Sequence, residues 1–173
     1  MNFLEILKYT LPSIIVFLTA YLFIRAFLEK EERSRKLDIT LNNQKLLTPI
    51  KLQAYERLVL LLERMSPELI VMRVQTPGMT ARELQAELLN TIRAEYEHNL
   101  SQQIYISTQA WEMVKTSKES TVKLINSAAA RLNDQAKSID LAKLIIEMYI
   151  SVEVTPASRA IEFLKAEIQQ VII

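Results

Sequence analysis

Apolar side chains along this chain fall into two regimes, a continuous run near the N-terminus and helix-spaced stripes thereafter. From Tyr9 to Ile24 no residue is charged, and Ala26, Phe27 and Leu28 carry the run past Arg25, whose long stem can reach outward to a headgroup layer. That is about 20 residues, enough to cross a hydrocarbon core of ~30 Å as a helix. The stretches 14–18 and 21–24 are apolar on every helical face, which disfavours a globular surface helix. A cleaved signal peptide is disfavoured by Glu5 ahead of the run and by the sequence Arg25-Ala26-Phe27-Leu28-Glu29-Lys30 after it, which has no small-residue cleavage site. The run therefore predicts a transmembrane helix, with residues 1–36 forming the anchor and its charged helical extension.

After the anchor the pattern weakens. Residues 37–47, centred on Asn42-Asn43-Gln44, read as a polar connector or a frayed extension of the helix. The domain over 48–173 is punctuated by helix starts. Thr48-Pro49, Ser66-Pro67 and Thr155-Pro156 each place a capping hydroxyl before a proline, Thr80 with Glu83 has capping-box spacing, and Ser107 and Ser138 are further caps. Between them run apolar stripes: Leu84, Leu88, Ile92 and Tyr96; Trp111, Val114, Thr121, Val122, Ile125, Ala129 and Leu132, interrupted by Lys118; and Ala160, Ile161, Leu164, Ile168 and Val171. The helix after Ser138 is apolar on most sides and is expected to be the most enclosed. Residues 102–107 alone have faint strand character. The fold class expected is all-α: one N-terminal transmembrane helix followed by a bundle of about five helices.

Composition sharpens this picture. The chain has one glycine, Gly78, whereas β-rich and α/β folds need glycine at many turns. It has no cysteine, which removes thiol catalysis, disulfides and cysteine-ligated metal sites. Twenty-one basic residues against 20 acidic ones provide no field for nucleic acid. Lys8 alone precedes the span, whereas Arg25, Lys30, Arg33, Arg35 and Lys36 follow it, so the domain is expected in the cytoplasm of an inner membrane with the N-terminus outside.

Candidate chemistry is sparse. His98 is the sole histidine; with Glu95 it makes one half of a Glu-x-x-His pair whose second half the chain lacks, so a surface histidine is expected rather than a metal ligand. One glycine and one histidine supply no phosphate loop and no nucleophile elbow. No catalytic, cofactor-binding or metal-ligating residue is assigned, no small-molecule substrate is evident, and an enzyme could arise only from a site formed between subunits.

Interaction is better supported. The run Leu58-Val59-Leu60-Leu61-Leu62 cannot turn every side chain to one core. Ala54, Leu58, Leu61, Leu62 and Met65 form one stripe, with Tyr55, Val59 and Leu60 to its side, and the chain ends in Val171-Ile172-Ile173. Tyr55, Val59, Leu60, Val171, Ile172 and Ile173 are therefore the candidates for an interface with a protein partner or a second copy, the lipid bilayer being the other expected partner. The stretch 97–107, Glu-His-Asn-Leu-Ser-Gln-Gln-Ile-Tyr-Ile-Ser, followed by Ala110-Trp111-Glu112, resembles uncharacterised single-pass membrane proteins of Bacteroidota. The resemblance implies a bacterial envelope protein and carries no activity. The function expected is a non-enzymatic scaffold or accessory subunit of a membrane assembly, the alternative being a tethered adaptor for a soluble partner.

Overall fold

A computed structural model describes the backbone of residues 3–172 and the side chains of residues 12–170. It is all-helical. Six α-helices follow in order: α1 (Phe3–Arg64), α2 (Pro67–Val74), α3 (Ala81–His98), α4 (Thr108–Ala129), α5 (Ser138–Ile150) and α6 (Pro156–Ile172). No β-strand occurs among the described residues. The chain divides into two units, Met1–Leu47 and Thr48–Ile173.

The first unit belongs to α1. Its apolar side chains from Ile14 to Leu28 are uncovered, Phe23 at 76 % exposure and Phe17 at 70 %. The helix is long and apolar enough to cross a membrane. Thr19 fits that setting, because its hydroxyl donates back to the carbonyls of Ile15 (3.0 Å) and Val16 (2.9 Å). From Arg25 onward, Arg25–Glu29, Arg35–Glu31 and Lys36–Glu32 form ion pairs one turn apart. Residues 37–47 are helical, continuing α1.

In the second unit most of the expected helix starts are present. Ser66 accepts the Leu69 N–H at the head of α2, and Ser107 accepts the Ala110 N–H at the head of α4 (3.0 Å). Thr155 accepts the Ser158 N–H at the head of α6 (3.1 Å). Thr80 and Glu83 close a complete capping box on α3, and the exposed Glu83 carboxylate, accepting the Thr80 N–H at 2.8 Å, titrates below its usual range. Gly78, at φ +92°, makes the turn before it, a backbone angle that a side chain would strain.

Two expected helix starts are corrected. Thr48-Pro49 does not begin a helix: both residues lie inside α1, where a proline leaves one carbonyl of the preceding turn unbonded. Pro49→Ala should therefore add the missing donor and stabilise the helix by up to ~3 kcal/mol. Amide exchange at residues 45–53 should slow; unchanged exchange would place the proline at a helix start, where it costs nothing. Despite the faint strand character of residues 102–107, the chain there stays helical as the all-α class requires: Gln102 and Tyr105 N–H donate three residues back, to Asn99 and Gln102 (3.0 Å each), closing the 3-10 turn Leu100–Ile104. Ser138 is the first buried residue of α5 rather than its cap; the Asp140 carboxylate instead accepts the Lys137 N–H (3.2 Å).

The interior of the bundle is shared by two helices. α4 packs against α3, α5 and α6, and α5 packs against α2, α3 and α4. α5 buries Leu141, Ala142 and Ile145 but leaves Ile139 and Ile150 exposed. α4 can be central despite its hydroxyls because Thr121 donates to the Ser117 carbonyl at 3.1 Å, so both residues are buried with that group satisfied. The turns before α3 and α5 are tied by two backbone bonds, Ala81 N–H to Ala136 (2.9 Å) and Ser138 N–H to Met79 (3.0 Å).

Candidate functional site

The stripe read from α1 is the one that packs. Ala54, Leu58, Leu61, Leu62 and Met65 are buried, and the last four join Leu84, Leu88, Ile92, Val114, Ile125, Leu141, Ile145 and Leu164 in one core. The three residues set to its side separate. Tyr55 is buried within the domain and is not available to a partner. Val59 is half-buried against the core, while Leu60 remains 56 % exposed. Of Val171, Ile172 and Ile173, no side chain is among those described.

Tyr55 is held by a residue the sequence did not single out. Its hydroxyl donates to Glu167 Oε1 of α6 at 2.8 Å, and the same carboxylate accepts the Ser107 hydroxyl (2.9 Å, Oε2) and the Ser107 N–H (3.3 Å, Oε1). One carboxylate therefore joins α1, α6 and the first turn of α4, where a helix N-terminus favours negative charge. Burial of Tyr55 and the adjacent carboxylate push the phenol well above its ordinary value of 10.0. The signal for Glu167 was its position in the α6 stripe, one residue before Ile168 and three after Leu164.

A second carboxylate works similarly. Glu95 of α3 accepts Arg64 at 2.7 Å and Arg73 at 3.3 Å, bracing α3 against the ends of α1 and α2, and the Asn99 amide donates to its backbone carbonyl (2.9 Å). Its side chain is thus engaged away from His98, which is exposed. No group of three or more potential metal ligands occurs among the described residues. Lys118, which interrupts the α4 stripe, lies 4.3 Å from the centre of the Tyr96 ring, and that ring stacks on Trp111 at 5.4 Å. Its apolar stem follows the core and its charge rests on an aromatic face.

Three of the concavities on the domain's surface have mainly apolar walls. A hollow of about 620 Å³ lies between α4 and the α5–α6 connection, lined by Met113, Leu124, Tyr149, Val152 and Val154 with hydroxyls of Thr116 and Ser120 on one wall. A wider groove of about 980 Å³ follows α3 and α4 along Leu89, Tyr96, Lys118 and Val122. The third, about 380 Å³, runs between α1 and α6 beside Leu52, Val59, Leu60, Leu164 and Ile168.

Against known families, residues 1–171 match a family of unknown function, DUF7935. The chain belongs to that family. The match covers the apolar N-terminal helix and the helical domain together, so the DUF7935 unit contains both. No curated protein and no solved structure matches the chain.

Proposed function

We propose that this DUF7935 chain is a membrane-anchored, non-enzymatic scaffold or accessory subunit, held in an inner membrane by the apolar part of α1 and presenting its helical domain to the cytoplasm. The observation that carries the reading is the uncovered run Ile14–Leu28, every large apolar side chain of which is more than half exposed. A core helix would be covered by its own chain, and an aqueous helix of this composition would aggregate. A bilayer supplies the missing cover. The orientation rests on Lys8 before the run against Arg25, Lys30, Arg33, Arg35 and Lys36 after it.

The test uses the absence of native cysteines. In intact cells Asn2→Cys should react with an impermeant maleimide and Thr40→Cys only after lysis, and the chain should stay in the membrane through alkaline carbonate washing. Reverse labelling would invert the topology; release by carbonate would remove the anchor. The adaptor reading is favoured by the hollow beside Tyr149, Val152 and Val154, which a segment of a soluble partner could fill. Cross-linking in native membranes separates the two: an assembly subunit is captured with membrane proteins, an adaptor with a soluble one.

A further inference from the structure

Within the helical domain, the groove between α1 and α6 is apolar along its length and charged unequally at its sides. Leu52, Val59, Leu60, Leu164 and Ile168 line it over about 380 Å³. Leu52 is 38 % exposed and Leu60 56 %, so two leucines remain in water beside a stripe that is otherwise packed. The charged groups sort by helix. Both carboxylates lining the groove, Glu56 and Glu63, belong to α1, and its ammonium, Lys165, belongs to α6. All three are exposed, and none forms an ion pair among the described residues. Elsewhere in the domain carboxylates between helices are partnered, Glu95 by Arg64 and Arg73 and Glu167 by Tyr55.

We infer that this groove is the contact between two copies of the chain, related by a twofold axis that lays α1 of each domain on α6 of the other. Charge chooses both the occupant and its orientation. A closed pair of identical chains presents the same patch twice. Were α1 to meet α1, Glu56 and Glu63 of the two copies would face one another without a cation, a juxtaposition of like charge that an interface penalises. With α1 against α6, Lys165 of each copy meets the Glu56 and Glu63 carboxylates of the other, and symmetry makes the contact twice. Leu52 and Leu60 of each copy then leave water together, closing the apolar groove of the other. A helix from a different protein would have to carry a basic flank toward α1, an acidic flank toward α6 and an apolar ridge between them. The second copy has that order already. The contact draws on residues 52–168 of the domain, and depends neither on the anchor nor on its orientation.

Charge reversal in the full chain provides the test. Purified in mild detergent, the parent should show twice the chain mass by light scattering once bound detergent is subtracted. Lys165→Glu should raise the dissociation constant by roughly tenfold or more, because both symmetric contacts change from attraction to repulsion, and Glu56→Lys with Glu63→Lys should do the same. All three substitutions together exchange the two signs and should return the constant to within about threefold of the parent. Trp111 fluorescence should report unchanged unfolding in every variant, since the three side chains are exposed. A parent that stays single, a pair indifferent to either reversal, or a triple variant that stays apart would overturn the inference, the last assigning the groove to a different protein. Carbonate washing reads the anchor separately: a chain that stays embedded but does not pair refutes the pairing alone, and one that pairs but is released refutes the anchor alone.

Discussion

Leu58→Ala should cost the helical domain about 2–5 kcal/mol, whereas Leu60→Ala, two residues away, should change its stability by no more than about 0.5 kcal/mol. Both residues are leucines in the same five-residue apolar run, so propensity and composition cannot separate them. Position on the helix does. Leu58 is fully buried in contact with the main core, and truncating it leaves a cavity among side chains of α1 and its neighbours. Leu60 is more than half exposed and loses little. Urea unfolding of the full chain in detergent, followed by the fluorescence of the sole tryptophan, Trp111, reads both variants on a probe inside the core. Equal losses would make the run a wholly enclosed helix and leave no face for a second copy.

The second large effect is expected at Glu167. Removing its carboxylate in Glu167→Ala leaves the buried Tyr55 hydroxyl and the Ser107 hydroxyl without their acceptor, at about 1–3 kcal/mol for an orphaned buried donor. Tyr55→Phe removes one of those donors, so the double variant should lose less than the sum of the two singles, the mark of a direct interaction. The same pair predicts a pH dependence. Since the folded Tyr55 holds its proton above the ordinary phenol value of 10.0, the folded chain binds more protons than the unfolded chain in the range above that pH. Its contribution is therefore complete below about pH 10 and is lost progressively as pH rises further. Denaturation midpoints measured from pH 9 upward should fall more steeply in the parent chain than in Tyr55→Phe. Parallel slopes would mean that Tyr55 titrates as a solvent-exposed phenol and that the contact with Glu167 does not form.

These two sites mark the division between what the chain states locally and what packing adds. The caps at Ser66, Thr80 with Glu83, Ser107 and Thr155 were legible because each is satisfied within three residues, at Leu69, Glu83, Ala110 and Ser158. The stripe from Ala54 to Met65 was legible because a helix repeats its faces every 3.6 residues, whatever packs on them. The all-helical class followed from a chain with one glycine and few places to reverse a strand.

Tertiary structure decided what local rules leave degenerate. A threonine before a proline can open a helix or sit within one, and at Thr48-Pro49 α1 continues through the pair. Apolar content pointed to α5 as a central helix, and α5 meets α2, α3 and α4; that α4 meets three helices too was not legible, because it hides the hydroxyl of Thr121 on its own backbone. Tyr55 looked like surface because it stands beside the core stripe; a carboxylate 112 positions later in the chain turned it inward. Glu167 could not be read as its partner beforehand, because nothing in a helical repeat indicates which distant side chain will meet it. The sequence by itself therefore determined the helices, most of their starts and the faces they bury, all set by contacts within a few residues. Which polar groups meet in the interior and which apolar face remains open were decided by the packing of helices far apart in the chain.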